Sequence, residues 1–231
     1  MSGAIEPIDE CKVFGEGLVY FFYGRPAYKV RIEEGLRFAE DYLPIALIFA
    51  SEAVGDPARA FPFDSGAFAS GAFDSIRHKK IPLASFELEP SFDGVRRSVT
   101  AFFETNRRYL LGEVTNRGLP NNMDDPEARS HYALIEGASD DSIDDRRYTV
   151  EVQSRELVLL SSAIAIIMPH KWLKSVAVKK FASENPSVKL ISYAKYKGTT
   201  VSGSHAVIFE HAYDYLLKGG YIQEDEYEDQ V

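Results

Sequence analysis

The chain has 231 residues, with 26 Lys and Arg against 35 Asp and Glu, a formal net charge of −9 and a single cysteine. An acidic balance of this size argues against non-specific duplex binding, because counterion release needs a broad basic surface. One cysteine, Cys11, excludes an intramolecular disulfide and a cysteine-built zinc site.

Hydrophobic residues make up 45% and charged residues 26%, as expected of a globular protein able to bury one large core. Residues 1–223 read as a single domain, since no Pro- or Ser-rich linker divides them. The stretch Glu224–Asp229 carries five acids and no base, so 224–231 reads as a solvated, disordered tail, or one that docks on a basic partner. Lone-cysteine usage and the lack of a basic leader-like start predict a cytoplasmic protein. The longest oily run, Leu157 to Met168, is interrupted by Ser161 and Ser162 and is too short to span a bilayer, so no membrane role is expected.

Leu18–Tyr23 is six apolar or aromatic residues in a row, which predicts a strand covered on both faces. It stops at Gly24 and delivers Arg25, with Pro26 constraining the chain just beyond. A cation placed there, among Tyr20, Tyr23 and Tyr28, suits capture of an anionic or phosphorylated ligand; it equally suits an ion pair with Glu151 or Asp64.

Arg31 to Tyr42 reads as a weakly amphipathic helix, and Ile45–Phe49 as a second strand introduced by Pro44. Ser51 to Ser75, rich in Gly, Ser, Pro and Phe, reads as a long loop. Within it Asp64 and Ser65 are site candidates, although Asp-Ser-Gly is also good turn chemistry.

Helical spacing of Val95, Val99, Phe102, Phe103 and Leu110 predicts one helix from Phe92 to Leu110, capped by Ser91 and stopped by Gly112. On it Arg96 and Arg107, and Arg97 and Arg108, would nearly superimpose. That face is either solvated or meets nucleic acid or an acidic partner. A polar loop from Thr115 to Asp125 and a helix from Pro126 to Glu136 follow.

Arg147–Gln153 alternates, which sets Tyr148, Val150 and Val152 on one face and Thr149, Glu151 and Gln153 on the other. That polar face is either the floor of a cleft or an ordinary solvated strand face. Ala163–Met168 reads as a buried strand ended by Pro169. A helix from His170 to Ala182 should turn Trp172, Val176 and Phe181 inward. Val188–Tyr193 is a further strand, and a helix from His205 to Leu217 closes the chain, stopped by Gly219-Gly220 and preceded by a Ser-Gly-Ser cap. The five histidines show no metal-ligand spacing, so no metal is expected. The sum is an α+β domain with a mixed, largely antiparallel sheet flanked by helices.

Arg25 within Tyr-Phe-Phe-Tyr-Gly-Arg-Pro-Ala-Tyr, and Glu151 within Asp-Arg-Arg-Tyr-Thr-Val-Glu-Val-Gln, together resemble the ADP-ribosyltransferases, in particular the DarT type that modifies DNA bases. The likeness covers about residues 18–30 and 144–170. It implies NAD bound in a cleft between two sheets, with Arg25 near the phosphates and Tyr23 or Tyr28 stacked on the nicotinamide. Glu151 would then stabilise an oxocarbenium-like ribose. It further implies transfer of ADP-ribose to nucleic acid or protein, or a degenerate, non-enzymatic member holding a protein or nucleotide partner, as in a bacterial toxin or anti-phage defence system. The transferase reading expects Arg25 and Glu151 to converge on one hollow.

Overall fold

The computed structural model describes residues 3–8, 10–27, 43–115, 124–137, 145–195 and 201–223. The expected helix Arg31–Tyr42, Tyr28, the tip of the Thr115–Asp125 loop and the acidic tail lie outside them.

Among the described residues, eight short strands form three sheets in an α+β domain. The smallest pairs β1 (Ala4–Ile5) with β6 (Val158–Leu159). The second has β5 (Glu151–Ser154) between β2 (Val19–Phe22) and β4 (Arg59–Phe61), antiparallel to both. The third has β7 (Ala163–Pro169) between β3 (Ala46–Phe49), antiparallel, and β8 (Lys189–Tyr193), parallel. The β7–β8 crossover runs through a 3₁₀ turn, His170–Lys174, and a helix, Val176–Glu184.

Both central strands are covered on both faces, and β7 carries a long apolar run. β5 is buried at every position, and β7 at all but Ile164. β2 behaves differently: only Val19 is buried, and Tyr20, Phe21 and Phe22 are half-exposed. The unbroken apolar run is therefore that of an edge strand beside a cleft, not of a doubly covered centre.

The expected loop Ser51–Ser75 instead holds α1 (Ser51–Val54), β4 and α2 (Ser65–Ala69). Its phenylalanines are core, not surface. Phe61, Phe63, Phe68 and Phe73 pack with Ile81, Phe86 and Leu134. Burying four such rings offsets the poor local propensity of a Gly- and Ser-rich segment. Asp64 caps α2 by accepting from the Ala67 N–H at 2.7 Å.

The single helix expected over Phe92–Leu110 is broken in two, α3 (Phe92–Phe103) and α4 (Asn106–Leu111). Glu104 adopts φ +64, and Thr105 caps α4 through the Arg108 N–H. The break carries Tyr109 and Leu110 into the main core with Val95, Val99, Phe102 and Phe103. It also removes the arginine superposition: Arg96 pairs with Asp93, Arg97 with Glu89, and Arg107 donates to the Tyr213 hydroxyl. Gly112 ends α4 in the left-handed region as expected.

The helix α5 (Pro126–Glu136) starts on the Asp125 cap. Over 170–184 the Ser175 cap interrupts the helical phase before α6 (Val176–Glu184). Trp172 and Phe181 do pack on the third sheet, but Val176 is 84% exposed. The last helix, α7 (Val201–Lys218), begins earlier than expected and absorbs the Ser-Gly-Ser stretch as helix. Gly219 and Gly220 follow its end, Gly220 with φ +72. Among the described residues, no helix is long and apolar enough to cross a membrane.

Candidate functional site

The two faces of the β2–β5–β4 sheet carry different residues. Register places Phe21, Val152 and Ala60 side by side on one face, and on the other Tyr20 beside Gln153 and Arg59, and Phe22 beside Glu151 and Phe61.

Along the edge of β2, with Phe21 and Val152 of the first face on its wall, lies a cleft of about 840 Å³ between β2 of the second sheet and β3 of the third. Successive residues line it along both strands, Val19 to Ala27 and Leu43 to Ser51. Phe21 and Phe49 meet edge-on across it at 5.9 Å between centroids. α7 supplies Ile208, Ala212 and Leu216, and Arg96, Asn106 and Glu52 add polar groups. A cleft of this size falls in the range that accepts cofactor-sized ligands.

Tyr23 and Arg25 both line this cleft. The Tyr23 hydroxyl donates to Asn106 Oδ1 at 3.3 Å. Arg25 is 5% exposed and heavily committed. Its Nη1 donates to the carbonyls of Tyr109, at 2.8 Å, and Leu110, and its Nη2 to Asp145 Oδ2 at 2.6 Å and the Tyr148 hydroxyl at 3.1 Å. The guanidinium also lies 4.6 Å from the Tyr148 ring centre. The acid that answers it is thus Asp145, neither Glu151 nor Asp64. Only Nε is without a hydrogen-bond partner among the described residues.

Why β2 ends where it does is explained by Tyr109. Its hydroxyl donates to the Tyr23 carbonyl at 2.8 Å and accepts from the Val150 N–H at 2.9 Å, while the Tyr23 N–H donates to the Val150 carbonyl at 2.9 Å. The phenol is inserted into one rung of the ladder. That opens the strands just where the chain must turn at Gly24, whose φ is +65.

On the second side, Glu151 is 2% exposed, so its face is neither a cleft floor nor a solvated surface. Ser65 Oγ and Gln153 Nε2 each donate to Glu151 Oε1 at 2.6 Å, and the Ser65 N–H to Oε2 at 3.3 Å. Burial pushes the carboxyl up to about 7, against the pull of these hydrogen bonds and with a further push from nearby Asp64. Gln153 Oε1 is buried with no partner among the described residues. Asp64 also faces Arg146, at 3.5 Å. Thr149 does not join the cluster; its hydroxyl donates back to the Asp145 carbonyl at 2.7 Å.

A strap over 11–16 borders this face. The Tyr20 hydroxyl donates to Cys11 Sγ at 2.6 Å, Phe14 stacks on Phe61 at 5.6 Å, and Glu16 meets Arg59 and Arg155.

The structure therefore brings together Glu151, Ser65 and Gln153 in one buried group with Asp64 beside it, and Tyr23 with Arg25 at the cleft. Glu151, Ser65 and Gln153 are not among the cleft residues. Tyr109, Tyr148 and Asp145 were missed in the sequence as partners of Arg25. Nothing in local pattern signals a contact across 84 to 123 residues.

Comparison with family models, curated proteins and solved structures finds no significant match to this chain.

Proposed function

We propose that this protein is a non-enzymatic binding protein that holds a nucleotide or protein partner in the cleft between β2 and β3. One observation carries the reading. The cleft that carries Tyr23 and Arg25 on its wall does not include Glu151, whose side chain lies on the sheet face turned away from Phe21 and Val152. A bound ligand there meets aromatic and aliphatic walls and no carboxyl from β5.

NAD is the nucleotide brought forward by the resemblance, and its fit is partial. The rings suit walls of Tyr23, Phe21 and Phe49. The diphosphate does not suit them, because Asp145 already balances Arg25, which leaves Arg96 as the cation with exposed reach. No step of ADP-ribose transfer is therefore assigned to this cleft.

The test uses anilinonaphthalene sulfonate, an apolar ring-bearing dye, and NAD as a competitor. The dye should brighten with the protein, and Leu47→Asp, which puts a charge on an exposed cleft wall, should weaken it at least tenfold. Absence of dye binding in folded protein overturns the reading.

The transferase reading keeps one observation of its own: Glu151, near 7 and bonded to Ser65, is suited to exchanging a proton near neutrality. Nicotinamide released from NAD by the wild type, and abolished in Glu151→Gln, would favour it over the binding reading.

A further inference from the structure

The Tyr23–Val150 hydrogen bond sets the phase of the β2–β5 ladder. Backbone groups of an antiparallel strand point alternately toward and away from the partner strand. Tyr23, Phe21 and Val19 share the phase that faces β5, so the N–H and C=O of Tyr20 and Phe22 point the other way, along the cleft. β2 is an edge strand of its sheet, and β3 is an edge strand of the next.

The other two outer edges of these sheets are treated differently. On β4 the Ala60 carbonyl accepts from the Leu88 N–H at 2.9 Å, which covers the edge. β8 opens with exposed Lys189. A covering segment and an edge lysine are standard protections against strand pairing. Neither β2 (Val-Tyr-Phe-Phe) nor β3 (Ala-Leu-Ile-Phe) carries a charge or a proline within the strand. At the start of β2 the outward Leu18 carbonyl accepts from the Ile8 N–H at 3.2 Å, but beyond it no bond covers the outward backbone groups of Tyr20 and Phe22 among the described residues, and this stretch and β3 both face the cleft.

We propose that the cleft takes an extended peptide strand of a partner protein, which pairs with the open edge of β2 through the backbone groups of Tyr20 and Phe22. This rests on the cleft-binding reading above and names the class of partner. Apart from polar groups such as Arg96, Asn106 and Glu52 the walls are apolar, so the outward N–H and C=O groups of Tyr20 and Phe22 need a ligand that carries two donors and two acceptors at that spacing. A peptide strand answers all four of these groups; the donor–acceptor edge of a nucleobase answers only two. Alternate side chains of the strand would lie on Phe21, Phe49 and Ile208, which selects apolar residues at every second position. With Arg25 held by Asp145, the occupant needs no anion at that point.

The probe is an acetylated octapeptide of alternating valine and threonine, with a second version N-methylated on alternate amides. Hydrogen exchange on the full chain reads the outcome. In the protein alone, the Tyr20 and Phe22 amides should exchange fast while that of Phe21 is slow. The octapeptide at saturation should slow Tyr20 and Phe22 at least tenfold, and the N-methylated version should not. Phe22→Pro, which removes an outward N–H while leaving the β5 ladder intact, should weaken the octapeptide at least tenfold.

Slow exchange at Tyr20 and Phe22 in the protein alone overturns the inference, whether another segment or a second copy covers them. So does binding indifferent to N-methylation. Dye binding that Leu47→Asp abolishes, with no octapeptide binding, overturns the strand and leaves the cleft reading standing. Loss of both overturns both.

Discussion

Arg25 and Asp145, 120 residues apart in the chain, close on one another at 2.6 Å with side chains 5% and 17% exposed. The pair ties the end of β2 to the turn that leads into β5. It also settles the charge at the inner wall of the cleft. A guanidinium with a carboxylate, two carbonyls and a phenol around it is a structural fixture first.

Removing one member of such a pair leaves the other buried and uncompensated. Asp145→Ala should cost about 3 kcal/mol. Arg25→Met combined with Asp145→Leu should recover much of that loss, because two apolar groups leave no stranded charge. Urea titration of the two variants and the wild type checks the sign of the difference.

Glu151 makes stability depend on pH near neutrality. Its carboxyl is raised from 4.5 to about 7, so the folded state holds the proton more tightly than the unfolded chain. The contribution is present in full below about 4.5 and is lost as pH rises through about 7, a change of about 3 kcal/mol. Glu151→Gln should flatten this slope and raise the urea midpoint at pH 8. A wild-type midpoint that does not fall between pH 5 and pH 8 would contradict the assignment.

His131 acts in the opposite direction. It is buried against Phe102, at 4.4 Å between ring centres, and burial lowers it from 6.5 to about 3. Its contribution is present above about 6.5 and is lost as pH falls toward 3. His131→Phe should therefore lose less stability on acidification than the wild type, measured by thermal melts from pH 7 to pH 4.

Tyr109→Phe deletes the hydroxyl that bridges Tyr23 and Val150. Two buried backbone groups lose a partner, at a cost of about 2 kcal/mol. The effect should be local: the Val150 amide should exchange markedly faster while the amides of β7 are unchanged.

Gly94→Ala tests packing against propensity. In a helix interior alanine normally gains up to about 1 kcal/mol over glycine. Here the added Cβ would lie 2.3 Å from the Glu89 carbonyl oxygen and 2.9 Å from the Glu89 Cβ. The substitution should instead cost about 2 kcal/mol, seen as a lower Tm.

Much of the scaffold is readable from local pattern. The apolar runs mark β2, β3 and β7; Ser91, Gly112 and the paired glycines after Lys218 mark helix ends, and alternation sorts Val150 and Val152 from Glu151 and Gln153. These features are legible because each depends on residues within a turn or a strand of one another. Arg25, Glu151, Ser65 and Gln153, singled out by residue type, are all buried and hydrogen-bonded.

Which of them meet is a different matter. Alternation tells that Glu151 opposes Val152 in direction but not which of the two directions leads to a cavity. That depends on where β3 and α7 pack, which long-range burial decides. The same holds for Arg25, whose partners come from α4 and from the turn before β5, and for the Phe61–Phe73 segment, ordered by the rings it buries and not by its own weak propensity. Periodicity is a property of neighbouring residues. Cavities and ion pairs belong to surfaces that come together only when the whole chain has folded.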